Sequence, residues 1–258
     1  MSGAVHLRID GARAEIRLDN PAKLNALTVE MLDALEAHCA TVEAEPRIRA
    51  VLLTAEGARA FCVGANIREW AALDPRSFSR DWIRRGHRVF DRLARLPVPL
   101  IGVLSGPAMG GGLELAATCD LRVAAPSASF ALPESGVGIV PGWSGTQRLA
   151  GQIPPAILKE MALTGARLSA ERAYQIGFLN AVSDDPLAEA QRLAARIAAS
   201  APQATETAKW MISAAIGEDT AASIEALAGA AMAPTADKAE GVAAFLEKRT
   251  PQYEDDPT

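Results

Sequence analysis

Apolar and polar positions follow two different spacings in the first part of the chain. Apolar residues occupy every second position from 5 to 9 and again from 14 to 18, with Asp10 and Gly11 between the two runs. This alternation around Asp-Gly predicts a β-hairpin. From Thr28 to Ala44 the apolar positions follow a helical spacing, which predicts a helix that ends before Pro46. Its buried side is expected to contain Met31, Leu32, Leu35, Cys39 and Val42.

Short apolar runs between helical segments predict further buried strands. These runs are residues 49–55, 98–104, 120–125 and 128–132. A long helix is predicted from Arg76 to Leu96, with Pro97 after it, and Asn66 is a predicted helix N-cap. From about Pro154 onward, alanine-rich helical segments dominate. The sequence therefore predicts an α/β fold, with a core in residues 1–190 and a helical C-terminal region in residues 191–258.

Composition narrows the class of protein. The 258 residues are 49% hydrophobic and 22% charged, which indicates a folded chain with disorder expected only in the last residues, 254–258. The net charge of −5 does not favour nucleic acid as a partner. Three cysteines without CxxC spacing predict reduced thiols and no zinc site. With no secretory pattern and no bilayer-length apolar run, we expect a soluble, cytoplasmic protein without membrane attachment.

Two glycine-containing loops are candidates for binding a negatively charged oxygen. Residues 106–120, GPAMGGGLELAATCD, place three glycines before a helix-forming run that contains Glu114. In residues 61–66, FCVGAN, Gly64 and Ala65 lie between a strand and a helix. Unpaired N–H groups at helix starts attract anions. If the two loops meet, their N–H groups form an oxyanion hole for a carbonyl oxygen.

Two carboxylates accompany these loops. Glu134 follows Glu114 by twenty residues, in a loop with proline and glycine around it. Two acids beside one oxyanion site can divide the work of general acid and base if their environments separate their pKa values. Simpler interpretations stay open at this point: Glu114 as a partner of the helix dipole, Glu134 as a surface acid, and the glycines as a packing contact.

Other catalytic motifs are incomplete. GPAMGGGL lacks the Lys-Ser/Thr of a P-loop, GVGIVP lacks the third glycine of a dinucleotide fingerprint, and GWSGT lacks the last glycine of a nucleophile elbow. His6, His38 and His87 have no metal-ligand spacing. The sequence therefore gives little support to a Ser-His-Asp or a metal-dependent mechanism, and no metal site is expected.

Four ordered motifs carry a resemblance to a known family. The segments AFCVGANIREW, GPAMGGGLELAATCDLRVAAPSASFALPESGVGIVPGWSGTQRL, LTGARLSAERAYQIGFLNAV and FLEKRTP resemble the enoyl-CoA hydratase/isomerase, or crotonase, family over nearly the whole chain. The resemblance implies a spiral of repeated ββα units with a helical C-terminal oligomerisation region, and a homotrimer or homohexamer. It also implies an acyl-CoA thioester substrate and no cofactor, since coenzyme A is part of the substrate.

Family motifs assign roles to individual residues. The backbone N–H groups of Ala65 and Gly111 match the family's oxyanion hole, and Glu114 and Glu134 match its two catalytic glutamates. By analogy Glu114 is assigned as base and Glu134 as acid, and the reversed or shared division of roles stays open. Substrate or coenzyme A contacts are expected from Lys23, Leu24, Asn66, Ile67, Arg68, Gly110, Gly142, Trp143, Phe245 and Lys248. For Lys248 the alternative is a solvated charge at a helix end. For Trp143 the alternatives are a wall of the acyl pocket and plain core packing.

This chain departs from the family pattern at a few positions. Asn66 replaces a frequent aspartate, Trp143 and Ser144 occupy positions that are often small, and a C-terminal lysine is absent. The leading hypothesis is an enoyl-CoA hydratase, with syn addition of water giving a 3-hydroxyacyl-CoA in fatty-acid or related acyl-CoA breakdown. The alternatives are a double-bond isomerase or another acyl-CoA-processing crotonase. A remote one is an RNA-binding protein on the same fold, which the pI near 5.4 opposes.

Overall fold

The computed structural model describes residues 3–253 of the chain. It consists of two compact units, Met1–Glu206 and Thr207–Thr258. The division predicted from the sequence, into a core of residues 1–190 and a helical region of residues 191–258, stays a prediction. The expected disorder of residues 254–258 lies outside the described residues.

The described residues form nine strands and twelve α-helices. The strands are β1 (Ala4–Asp10), β2 (Arg13–Asp19), β3 (Ala50–Ala55), β4 (Leu100–Leu104), β5 (Ala108–Met109), β6 (Leu121–Ala124), β7 (Ser129–Ala131), β8 (Leu168–Ser169) and β9 (Ala181–Val182). The helices are α1 (Val29–Ala44), α2 (Ile67–Trp70), α3 (Pro75–Ser77), α4 (Arg84–Ala94), α5 (Gly111–Ala117), α6 (Gly145–Gln152), α7 (Pro155–Thr164), α8 (Ala170–Gln175), α9 (Pro186–Ala198), α10 (Pro202–Ala215), α11 (Thr220–Met232) and α12 (Ala236–Glu247).

The first two predicted elements are confirmed. β1 and β2 form an antiparallel hairpin in which Asp10 lies opposite Arg13. Helix α1 begins after Thr28, whose side chain accepts a hydrogen bond from the Met31 N–H, as a serine or threonine N-cap does. All five apolar residues of its predicted stripe are buried. Local patterning alone therefore determines this part of the fold.

Successive ββα units place one strand in a large sheet and the next in a small one. The large sheet has the order β1-β2-β3-β4-β6-β9, parallel from β2 onward, and the small sheet has the order β5-β7-β8. β4 lies in the large sheet, β5 in the small sheet, and α5 follows, and β6 and β7 repeat this arrangement. Before them, β3 is followed by a bridge from Cys62 to Ala108 of β5 and then by α2.

Both faces of the large sheet are covered, which explains why its central strands are apolar throughout. Val51 and Leu53 of β3 face the main core with α1 and α4. The alternate residues, Ala50 and Leu52, pack against the opposite layer, where α9 contributes Ala190 and Ala194. The three cysteines, all among the described residues, are buried thiols in this interior.

The prediction of one continuous α-helix from Arg76 to Leu96 is wrong. The chain forms α3, then a π-helical segment at Phe78–Ile83, and then α4. In a π-helix, residues four and five apart share a face, because the backbone hydrogen bond reaches five residues. Phe78, Trp82 and Ile83 consequently border one cavity. Apolar periodicity does not distinguish this wider turn from an ordinary helix.

Two short strands were also missed after Pro154. β8 pairs with β7, and β9 pairs with β6, in a stretch where the sequence showed little strand signal. A two-residue strand has too few positions to show alternation. These pairings are consequences of tertiary structure rather than of local pattern.

The second unit is helical and carries exposed apolar side chains. They are Met211, Ile212, Ile216, Ile224, Met232, Val242, Phe245, Leu246 and Tyr253. Apolar exposure of this extent is typical of surfaces that bind another protein. Within residues 3–253, no helix has both the length and the apolar character needed to cross a bilayer.

Candidate active site

A cavity of about 170 Å³ opens beside the glycine loop of the first unit. Its walls are mostly apolar, with Glu114 and Glu134 as the charged exceptions. The cavity brings together eight residues that the sequence predicted for the site. They are Ala65, Ile67, Gly110, Gly111, Glu114, Glu134, Gly142 and Trp143.

Backbone pairing fixes the direction of the Ala65 N–H. Leu27 forms a parallel bridge with Ala65, in which the Leu27 N–H donates to the Gly64 carbonyl and the Asn66 N–H donates to the Leu27 carbonyl. In a parallel bridge these flanking groups make the hydrogen bonds, so the N–H of Ala65 points away from Leu27. That other side of the segment borders Met109, whose N–H donates to the Cys62 carbonyl.

Glycine is required where the two loops meet. Gly64 has φ +94°, and a Cβ there would lie 3.0 Å from the Gly111 nitrogen. Gly110 has φ +52° with ψ −125°, a conformation that L-residues avoid. Gly111 is the first residue of α5, so its N–H has no acceptor within the helix. The Ala65 nitrogen lies 3.5 Å from the position of a Gly111 Cβ. The two N–H groups are thus neighbours beside the cavity.

Glu114 is held by the backbone of the loop that precedes α6. Its Oε1 accepts hydrogen bonds from the Trp143 N–H at 2.8 Å and the Gly145 N–H at 2.9 Å. The contact also requires glycine at position 145, because a Cβ there would lie 2.3 Å from the Glu114 Cγ. Burial raises the pKa of Glu114, while the two N–H donors favour the ionised form and oppose that rise.

Glu134 is also buried, but it accepts fewer hydrogen bonds than Glu114 does. It begins a 3-10 turn, Glu134–Val137, and its Oε1 lies 2.8 Å from where a Gly110 Cβ would be. Its Oε2 is buried and has no hydrogen-bond partner within the described part of the chain. Burial raises the pKa of Glu134 to about 7, and the nearby charge of Glu114 adds to the effect. At neutral pH this carboxyl group is therefore close to half protonated.

Trp143 is both a core residue and a wall of the cavity. Its ring packs against Trp82 at 5.1 Å and against Phe90 at 5.3 Å between centroids. The side chain is almost fully buried. Both interpretations of this residue from the sequence are therefore compatible with its position.

A hydrogen-bonded network supports the loop that holds Glu114. Ser144 has the left-handed φ of +69°, and its hydroxyl donates to Asp91 Oδ1 at 3.2 Å. Arg148 donates to the same oxygen at 2.5 Å, and His87 lies 3.1 Å from the other one. Burial raises the pKa of Asp91, but the hydrogen bond and charge of Arg148 outweigh this, and the net shift is downward. An ionised Asp91 thus joins α4 to the loop.

Six predicted substrate-binding residues do not line the cavity. Lys23 and Arg68 are exposed, and Asn66 caps α2 by accepting a hydrogen bond from the Arg68 N–H. Leu24 lies next to the site, where its carbonyl accepts from the Val63 N–H. Phe245 and Lys248 lie in the second unit, at the end of α12. Their contacts with coenzyme A stay predictions.

Several lining residues were not predicted from the sequence. The main ones are Trp70, Phe78, Trp82, Ile83, Val137 and Val140. Two signals were available: the concentration of aromatic residues between 70 and 82 in a chain with only 5% aromatic content, and Gly86 inside a helical pattern. An isolated glycine in a helix commonly has a packing reason.

Comparison with known proteins identifies the family and the fold. The model of the enoyl-CoA hydratase/isomerase family matches residues 8–256. The chain belongs to this family, the crotonases. Within it, YngF of Bacillus subtilis is 41% identical over 246 residues, which cover 93% of this chain and 94% of YngF. The short-chain-enoyl-CoA hydratase of Clostridium acetobutylicum is 33% identical over 249 residues, 95% of each chain.

Solved crotonase structures agree with the structure of this chain over the same length. The crystal structure of an enoyl-CoA hydratase from Bacillus anthracis has a TM-score of 0.80 and 34% sequence identity, and the match covers 96% of this chain and 98% of that one. The resemblance predicted from the motifs is confirmed, as is the α/β crotonase fold. The protein is an enzyme of the crotonase family.

Proposed function

We propose that this crotonase is an enoyl-CoA hydratase, which adds water syn across the 2,3 double bond of a 2-enoyl-CoA thioester to give a 3-hydroxyacyl-CoA. Members of the family act on acyl-CoA substrates. One observation carries the narrower proposal. Two buried glutamates with different hydrogen bonding face the same cavity as two neighbouring backbone N–H groups.

In this proposal the Ala65 and Gly111 N–H groups bind the thioester oxygen. They withdraw electron density from the conjugated system, so that carbon 3 becomes electrophilic and the negative charge that develops on oxygen is stabilised. One such donor typically contributes about 2.7–4 kcal/mol to lowering the barrier. Main-chain donors suit this role, because they are held by the fold and need no rearrangement during the reaction.

The two glutamates divide the proton transfers. Glu114, whose ionised form accepts two N–H hydrogen bonds, takes a proton from water as the water oxygen bonds to carbon 3. Glu134, whose pKa is about 7, delivers its proton to carbon 2. The product gains one water molecule, and a proton passes from Glu114 to Glu134 to restore the starting state. Because the two acids interact, the pair titrates as a unit.

Substrate recognition outside the cavity is part of the same proposal. Lys23 and Arg68 supply exposed positive charge for the phosphates of coenzyme A. Phe245 and Lys248 of the second unit stay candidates from the motif resemblance alone. The exposed apolar side chains of α10 to α12 support assembly into a homotrimer or homohexamer. The reaction needs only water and the thioester, so the proposal includes no cofactor. A cytoplasmic location stays a prediction, since a relative in Arabidopsis thaliana is named mitochondrial.

Double-bond isomerisation is the alternative reaction. It moves a proton between carbons 2 and 4 and needs only one carboxyl group. The buried Glu134 Oε2, which lacks a partner within residues 3–253, favours Glu134 for that single role. In an isomerase of this kind, loss of Glu114 would be tolerated.

The test follows the absorbance of the conjugated thioester when purified protein is mixed with 2-enoyl-CoA esters. We expect rapid loss of absorbance with the wild type and a large loss of activity in both Glu114→Gln and Glu134→Gln. The exposed Glu160→Gln is the matched control and should remain active. Conversion of 3-enoyl to 2-enoyl esters without hydration, retained in Glu114→Gln, would overturn the proposal in favour of isomerisation.

A further inference from the structure

The cavity has an open end and a closed end. Ile67, Val137 and Val140 border it and are 53%, 57% and 75% exposed, so solvent reaches that end. Trp82 and Trp143 border it as well, yet they are only 4% and 2% exposed. The buried part of the cavity wall thus includes both tryptophans, within reach of an acyl tail that enters from the exposed side.

Trp143 is seated in a space that only glycine at position 86 leaves free. A Cβ on Gly86 would lie 2.2 Å from Nε1 of the indole and 2.3 Å from Cε2, far inside contact distance. The opposite edge of the ring faces the glycine loop, where a Cβ on Gly111 would lie 3.1 Å from Cε3 and Cζ3. The indole thus fills the gap between α4 and the start of α5.

The size of the cavity limits what fits before this wall. An apolar cavity of about 150 Å³ holds a molecule the size of benzene, and the present cavity measures about 170 Å³ including its open part. Building on the proposed function, we infer that Trp143, seated against Gly86, is the specificity-determining residue that ends the acyl pocket. It restricts the enzyme to short enoyl groups, of about four to six carbons.

The first test compares kcat/KM for crotonyl-CoA and 2-octenoyl-CoA in the wild type and in Trp143→Ala. A methylene that a hydrophobic pocket does or does not accommodate changes kcat/KM by about 10–200-fold. We expect the wild type to favour crotonyl-CoA at least about tenfold, and Trp143→Ala to lower that ratio by about tenfold or more. The ratio of two substrates on one sample is independent of the folded fraction. Trp143→Phe, a milder change, should give an intermediate ratio, and Trp210→Ala outside the cavity lining should leave it unchanged.

Gly86→Ala tests the seat of the indole. Its new Cβ displaces the ring into the cavity, so the variant should discriminate more strongly against octenoyl-CoA than the wild type does. In a Trp143→Ala background the same substitution should not alter the ratio, because there is no indole to displace. Equal effects of Gly86→Ala in both backgrounds would overturn the proposed pairing.

Calorimetric binding of butanoyl- and octanoyl-CoA separates this inference from the hydratase proposal. If the wild type hydrates no ester but binds the short one more tightly, and Trp143→Ala removes that preference, the pocket inference holds and the hydratase proposal fails. If the wild type hydrates both lengths equally, or the ratio is the same in Trp143→Ala, the pocket inference fails and the hydratase proposal holds. A tenfold preference for an aromatic enoyl ester over crotonyl-CoA would also overturn the limit on length.

Discussion

The raised pKa of Glu134 predicts how the free energy of unfolding depends on pH. Its pKa of about 7, against an ordinary value of 4.5, reflects the cost of placing a charge in a buried position. At about 1.36 kcal/mol for each pH unit, the difference corresponds to about 3 kcal/mol. Because the cavity is open to solvent at one end, we reduce this to about 2–3 kcal/mol.

The sign follows from proton binding. Below about pH 4.5 the carboxyl is protonated in both the folded and the unfolded chain. Between 4.5 and about 7 the folded chain keeps a proton that the unfolded chain has released, so the free energy of unfolding falls as pH rises. Glu134→Gln is neutral at every pH and lacks this dependence. Relative to the wild type, the variant should therefore gain about 2–3 kcal/mol between pH 5 and 8.5.

Urea unfolding of both proteins across this range measures the difference. Glu114 is present in both, so most of its own titration cancels, and any packing defect of the amide is independent of pH. A difference between the two proteins that stays constant within about 0.5 kcal/mol would refute the assignment of a raised pKa to Glu134. The same protonation predicts that kcat/KM for hydration falls about tenfold per pH unit above pH 7.

Substitutions at three further positions test the structure around the site. Ser144→Ala keeps the left-handed backbone and loses the hydrogen bond to Asp91, whereas Ser144→Gly also relieves about 1–2 kcal/mol of backbone strain. Urea unfolding should therefore show the glycine variant to be the more stable by about 1–2 kcal/mol, and the reverse order would contradict the strain. Gly64→Ala places a methyl group 3.0 Å from the Gly111 nitrogen and should lower kcat for hydration on the order of a hundredfold, with full kcat as the contrary result. Arg148→Ala leaves Asp91 without its main charge partner and should lower the free energy of unfolding by about 3–5 kcal/mol; a loss under about 1 kcal/mol would exclude a structural ion pair.

The spacing of apolar residues predicts those elements whose form depends on their own sequence. The first hairpin and α1 follow from period-two and period-3.6 spacing, and Thr28 marks the helix start. The π-helical segment Phe78–Ile83 does not follow from spacing, since apolar periodicity does not distinguish its wider turn from that of an ordinary helix. Strands β8 and β9 cannot be predicted from spacing either, because they are strands only through their pairing with β7 and β6.

Part of the candidate site could likewise be predicted from the sequence, and part could not. Motif resemblance predicts that Glu114, Glu134 and the two N–H groups belong together, and the fold brings them to one cavity. The pairs that adjust the site are different: Gly86 with Trp143, and Asp91 with Ser144, join residues distant in sequence. Each partner alone looks ordinary, a glycine in a helix or an aspartate on its surface. Only the tertiary structure shows that the two members of each pair are in contact.

The N–H groups of Ala65 and Gly111 belong to the main chain, and this has a consequence for protein engineering. No substitution other than by proline, which has no N–H, removes a main-chain donor, whereas any substitution at 114 or 134 replaces the carboxyl group. Glu134 is the easier of the two to vary, because its Oε2 has no partner among the described residues, while Glu114 Oε1 accepts two hydrogen bonds. Under the proposed mechanism, randomising position 134 would therefore explore new reactions on a thioester that the two N–H groups still activate.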